Sequence, residues 1–171
     1  GKWILCQYLG HGGWNHVDCA LVKADGSGEV VNLTQSGYTE GSPKFAFDGK
    51  AVLFTSDRAG YRSHGSWGSE RDYYLMFLDR EAYEDFKLSK EDRELRKELK
   101  EVAEKKDDAK PAKKTAKGRK AKAEKSKPAE DKTFKPDFSD LDARTVRLTR
   151  ASGSLSDAVI NEDGSKLYYI A

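Results

Sequence analysis

SPKFAFDGKAVLFTSDRAG, residues 42–60, decides the fold. It reads as a strand, an Asp48-Gly49 turn, a second strand and a polar turn. Asp-Gly suits a two-residue hairpin because both central residues of that turn take positive φ. Phe45, Phe47, Val52 and Phe54, and further on Tyr74, Met76 and Leu78, keep a period of two. That alternation marks the core face of a sheet rather than a cofactor box. An isolated hairpin is marginal in water, so more strands must accompany it.

Internal repetition supplies them. Gly1-Lys2-Trp3-Ile4-Leu5, Gly49-Lys50-Ala51-Val52-Leu53-Phe54 and Gly164-Ser165-Lys166-Leu167-Tyr168-Tyr169 each place a glycine before a β-prone run. The latter two follow Asp48 and Asp163, which again gives Asp-Gly. Upstream of these turns, Leu33-Thr34 and Leu148-Thr149 each precede a glycine, Gly37 and Gly153, and then a serine, Ser42 and Ser156. The glycines at 1 and 49 lie 48 residues apart and the two Leu-Thr pairs 115 apart. A unit of about 45 residues fits both distances if the second copy carries an insertion.

The insertion follows the strand 72–78. Ser89 is placed to cap a helix, and Leu88, Leu95, Leu99 and Val102 fall on one narrow stripe. With Asp92/Arg96 and Glu101/Lys105 as i,i+4 pairs, this predicts a helix over about 89–106. Residues 107–133 are rich in Lys, Ala and Pro, have no face to bury, and read as disordered or weakly helical tether. Strand signal resumes at 144–148. Residues 1–79 are therefore read as blade strands, 80–142 as the insertion, and 143–171 as the last strand of that blade and the start of the next. The fold class is all-β: about two to two and a half four-stranded antiparallel propeller blades.

Composition narrows the functional classes. Residues 101–132 hold twelve Lys/Arg and seven Asp/Glu, a net of +5, whereas the whole chain of 171 residues is +2. The basic character belongs to the insertion. Its interspersed acids and lack of aromatic residues favour a solvated tether over a nucleic-acid arm. Two cysteines, Cys6 and Cys19, form no disulfide framework or zinc pattern. No apolar run spans a membrane, and residues 1–10 are not a signal peptide, so the compartment, periplasmic or cytoplasmic, stays open.

Leu33-Thr34, then Ser42-Pro43-Lys44-Phe45-Ala46-Phe47-Asp48-Gly49-Lys50, then Phe54-Thr55-Ser56-Asp57-Arg58-Ala59-Gly60 resembles the TolB-type propeller repeat. In the third copy Asp157 stands where Pro43 does and Asn161 shifts the count. In the first, Gln7-Tyr8-Leu9 replaces Ser-Asp-Arg, and Ala24-Asp25-Gly26-Ser27-Gly28 supplies the outer turn. With the Lys/Glu-rich insertion and residues 144–170, the chain looks like the N-terminal propeller region of bacterial tricorn protease homologues. That resemblance implies further blades, a PDZ module and a serine peptidase domain elsewhere in a longer polypeptide. It also implies a non-catalytic part here: guiding peptides or unfolded protein towards the active site, or supporting assembly. The alternative is a TolB-type scaffold propeller with no protease attached.

No residue is assigned a catalytic, metal or cofactor role. The three histidines are His11, His16 and His64, and GSWG at 65–68 lacks the Gly-x-Ser-x-Gly of a nucleophile elbow. HGGWNHVDC (11–19) reads as a glycine-rich connection, since Asp18 and Cys19 point to opposite faces of a strand. In the loop 57–72, Tyr61, Arg62, His64 and Trp67 sit on a Gly/Ser frame, the residue types a recognition surface uses. They are the candidate peptide or partner contacts. Asp57 is read as fixing the turn through its own backbone. Sheet faces left uncovered predict self-association of the chain.

Overall fold

The computed structural model describes residues 1–10, 16–62, 68–108 and 135–171. Three antiparallel sheets dominate it. The first has the order β1 (Trp3–Tyr8), β2 (Asp18–Lys23), β3 (Val30–Asn32). The second is a four-stranded meander of β4 (Glu40–Ala46), β5 (Ala51–Ser56), β6 (Asp72–Phe77) and β7 (Thr145–Arg147). The third pairs β8 (Asp157–Ile160) with β9 (Leu167–Ile170). The chain is mostly β, as the alternation and turns predict. The three sheets do not close into a ring among the described residues.

The opening hairpin is β4–β5. Lys50 donates to the Phe47 carbonyl at 3.0 Å across Asp48 (φ 54°) and Gly49 (φ 84°), the turn that Asp-Gly favours. Phe47 itself sits at φ 51°, a costly position for a bulky residue. Its ring lies 5.9 Å from Phe77 and 6.4 Å from Phe86, and this packing holds it there. The third copy departs from the pattern. Only Gly164 of its Asp-Gly pair has positive φ, and the turn spans Asn161 to Lys166, closed by Asn161 N–H to the Lys166 carbonyl at 3.1 Å. The longer loop lets Asp163 stay in ordinary conformation and accept from Ser165 N–H at 2.9 Å.

β5 and β6 are buried along their whole lengths. Leu53, Tyr73, Leu75 and Phe77, with Ala46 and Ala51, pack against Ala158 of β8. The opposite face carries Val52, Phe54, Tyr74 and Met76, also buried. Period-two reading identified the second set and passed over the first, because a central strand covered on both faces has no polar side. Phe45, expected in the core, is instead 45% exposed: it belongs to β4, at the edge of the meander.

The β2–β3 connection takes residues 24–29; the corresponding β6–β7 connection takes residues 78–144. It begins with α1 (Arg80–Lys87), a helix that the sequence pattern leaves unassigned. Tyr83 and Phe86 of α1 lie 5.5 and 5.1 Å from Phe77, and Asp79 Oδ1 caps it by accepting from Ala82 N–H at 2.7 Å. The returning chain is stitched to its start: Arg80 donates to Asp137 at 2.7 Å and Ser139 at 2.8 Å, and Asp137 N–H to the Leu78 carbonyl at 2.8 Å. The Ser139 hydroxyl and backbone, with Arg80, hold the Asp137 carboxyl well below the usual range.

Residues 87–135 form a separate compact unit. It contains α2 (Lys90–Asp108), close to the expected helix. Ser89 Oγ accepts from Asp92 N–H at 3.1 Å and donates to the Asp92 carboxylate at 2.7 Å, the anticipated cap. Leu95, Leu99 and Val102 are exposed along one stripe. The tether expected over 107–133 lies, beyond Asp108, outside the described residues.

Candidate functional site

The connections 33–39, 57–71 and 148–156 leave the sheets at one end, and a repeated latch fixes two of them. Asp72, the first residue of β6, is fully buried. Its Oδ1 accepts from Thr149 Oγ1 at 2.7 Å and Arg147 Nη2 at 2.8 Å, and its Oδ2 from Ser152 Oγ at 2.8 Å. Thr149 Oγ1 accepts in turn from Tyr73 N–H at 3.2 Å, and Leu148 N–H reaches the Tyr73 carbonyl at 2.8 Å. The first sheet repeats this. Asp18 opens β2, its carboxylate accepts from Thr34 Oγ1 at 3.0 Å and Asn32 Nδ2 at 2.7 Å, and Thr34 Oγ1 accepts from Cys19 N–H at 3.0 Å. Leu33 N–H bonds the Cys19 carbonyl at 2.8 Å.

Thus the Leu-Thr pairs that mark the repeat are strand-closing devices. Burial alone would push the Asp72 carboxyl up, but the hydrogen bonds from Thr149, Ser152 and Arg147 outweigh it and hold it below the usual range. Sequence reasoning does not pair these aspartates with the threonines, although each is the first residue of its strand.

The registers Tyr8↔Asp18 and Ser56↔Asp72 align Tyr8 with Ser56. The first copy's counterpart of Ser-Asp-Arg is therefore Tyr8-Leu9-Gly10, one residue on from the pairing with Gln7-Tyr8-Leu9.

Between the first two sheets stands Glu40, fully buried, whose N–H donates to the Val17 carbonyl at 2.7 Å. Its Oε1 accepts from Ser36 Oγ at 2.6 Å, Ser56 Oγ at 3.0 Å and Arg58 Nη2 at 2.9 Å. The Arg58 guanidinium lies 5.0 Å from the Tyr74 ring centre and 5.9 Å from those of Tyr38 and Phe54. Asp57 does not serve its own turn. Its Oδ1 accepts from Thr39 N–H at 3.0 Å, tying together two loops that sequence alone shows as unrelated. Ser56 Oγ does the local work, accepting from Arg58 N–H at 3.3 Å. Ser56, Asp57 and Arg58 thus root the loop 57–71 in the sheet.

Beyond that root the loop runs as a narrow ribbon. Glu70 N–H donates to the Tyr61 carbonyl at 2.8 Å, and Arg62 pairs with Ser69 in an antiparallel bridge. Gly60 backs onto Glu70 so closely that a Cβ would stand 2.1 Å from its carbonyl oxygen, so only glycine fits. Tyr61 is 70% exposed. Arg62 is exposed, with its guanidinium 4.8 Å from the Tyr38 ring centre. Tyr38, which sequence reasoning passed over, therefore sits beside both arginines. Of the four expected contact residues, Tyr61 and Arg62 come together here; His64 and Trp67 lie outside the described residues, as does His11.

His16, the one histidine among the described residues, is exposed. Cys19 is buried, and desolvation, with the nearby Glu40 and Asp18 carboxylates, pushes its thiol far up. Asp18 is consumed by its latch. Among the described residues no group of three His, Cys, Asp or Glu is placed to hold a metal. What this end presents is an exposed aromatic ring, Tyr61, and an exposed guanidinium, Arg62, on a rooted ribbon. No protein-family model, curated protein or solved structure matches the chain.

Proposed function

We propose that the chain is a non-catalytic propeller segment of a tricorn-like serine peptidase and guides peptide substrates along the surface carrying Tyr61 and Arg62. The observation that carries this reading is the recurrence of one Asp/Thr latch in two successive sheets. It is what repeated blades of a single architecture would share, and Ser56, Asp57 and Arg58 root Tyr61 and Arg62 in the sheet beside it. Rigid placement matters because ordering a loop on binding costs affinity. The Arg62 guanidinium already lies over Tyr38, 4.8 Å from its ring centre.

The test uses the full-length gene product carrying this sequence. Hydrolysis of long peptides is expected, with kcat/KM falling about tenfold in the double variant Tyr61→Ala/Arg62→Ala while a minimal chromogenic substrate is cleaved as before. Equal loss on both substrates would overturn the guiding role. An inert full-length chain would leave the scaffold propeller as the better reading.

A further inference from the structure

The three sheets are stacked, and the second contact in the stack repeats the first. The registers that align Tyr8 with Ser56 also align Ile4 with Val52, Leu5 with Leu53, Leu21 with Leu75 and Val22 with Met76. On the first sheet Leu21 shares a face with Cys19, which lies near Glu40. Glu40 pairs with Ser56 and so stands on the Val52 face of the second sheet, where the Phe54 and Tyr74 rings flank Arg58. The leading face of the first sheet, with Leu5 and Leu21, thus presses on the trailing face of the second, whose Val52 and Met76 are fully buried. The same step follows one sheet on. Leu53 and Leu75, on the leading face of the second sheet, share a core with Ala158 of the third, and Tyr169 lies 6.3 Å from Tyr73.

One face is left over at each end of the stack. On the first sheet Ile4, Val22 and Val30 stand in one row across three strands, the row that Val52 and Met76 occupy on the second. There Ile4 and Val30 are exposed, and Val22 is half-buried. On the third sheet Val159, Tyr168 and Ile170 point away from Ala158 and Tyr169 and are exposed. Counted from the turn glycines, Gly49 and Gly164, Tyr168 stands where Leu53 does. The two open faces are therefore of opposite kind: a trailing face and a leading face, each without its mate among the described residues. We propose that the leading face of the third sheet docks on the trailing face of the first sheet of a second copy of this chain. The contact is of the kind the chain already makes twice within itself. It joins two different surfaces, so copies associate head to tail, closing into a ring if the rotation allows and otherwise extending as a filament.

Sedimentation velocity of the full chain tests this, with the mean mass expected to rise with concentration. Val159→Lys/Tyr168→Lys disables the leading face and Ile4→Lys/Val30→Lys the trailing one, each by setting unpaired charge in an apolar contact. Either variant alone should stay monomeric at concentrations where the unaltered chain associates. An equimolar mixture of the two should form a 1:1 dimer that grows no further, since each supplies the face the other lacks. That recovery also shows that both are folded. If circular dichroism finds either lysine pair unfolded, Tyr168→Ser or Ile4→Thr replaces it, each expected to weaken the association about tenfold.

Three results overturn the proposal. A chain that is monomeric at every concentration assigns the cover of both faces to other blades of a longer polypeptide. Association abolished by Val159→Lys/Tyr168→Lys but untouched by Ile4→Lys/Val30→Lys means that two third-sheet faces meet each other. Association that survives both pairs of substitutions belongs to some other surface. None of these outcomes bears on peptide guidance, which is read separately through Tyr61 and Arg62.

Discussion

Asp72 illustrates what a single residue contributes here. Its folded-state pKa lies below the value of about 3.9 for a free aspartate, so its contribution is complete above that pH and is lost as pH falls through the folded value. Asp72→Asn should lower Tm at neutral pH by about 5 °C or more and flatten the decline of Tm below about pH 4. A variant with the acid slope of the unaltered chain would show that the latch is not the titrating element. Glu40 and Arg58 make a sharper case. Removing the guanidinium leaves a fully buried carboxylate without its counter-ion, and Arg58→Ala should cost about 3 kcal/mol in denaturant unfolding. Cys19 should resist alkylation until the chain is unfolded, read by mass spectrometry with and without denaturant. Of these roles the sequence showed only the positions. Leu33-Thr34 and Leu148-Thr149 stood out as marks of a repeat, but the aspartates that Thr34 and Thr149 serve lie 16 and 77 residues away along the chain, and no local pattern names such a partner. For the same reason Asp57 was assigned to its own turn when its acceptor oxygen serves Thr39.

At the level of elements, turn chemistry was legible and burial was not. Asp48-Gly49 forms the tight turn expected of it, whereas Asp163-Gly164 sits in a longer loop where only the glycine is left-handed. The dipeptide is the same; the loop length decides its geometry. The cap at Ser89 was readable because its partner is three residues away. Ser89→Ala should cost α2 about 1 kcal/mol and show as lost helicity by circular dichroism, since a helix whose apolar stripe is exposed depends on its ends. Unchanged ellipticity would mean that the helix is held by something other than its cap. α1 escaped notice because Ala82, Tyr83 and Phe86 are scattered among charges, and only Phe77 beneath them reveals the face they share.

For the whole molecule, Val159, Tyr168 and Ile170, exposed on one face of the β8–β9 hairpin, form an apolar surface. The chain should associate with itself as concentration rises, by sedimentation velocity, and Val159→Lys/Tyr168→Lys should reduce that association; a monomer at every concentration would contradict it. The mostly-β character followed from the alternation and the turns, whereas the packing of the sheets on one another could not, because it depends on residues such as Lys44 reaching Asp157 and the Ala158 carbonyl across the interface. One consequence belongs to the order of folding. β3 joins its sheet after residues 24–29, but β7 must find β6 after residues 78–144. A connection roughly tenfold longer adds about 2 kcal/mol of closure entropy. The outermost strand of the central sheet should thus be the last to arrive and the first to leave, and the stitches at Arg80 and Arg147 shorten the effective search. Amide exchange would register this as faster opening at Leu148 than at Leu33, two equivalent N–H groups that donate to the Tyr73 and Cys19 carbonyls, each at 2.8 Å. The sheet would then spend part of its time with β6 as a vacant edge, a moment of vulnerability written into the chain by the length of the detour.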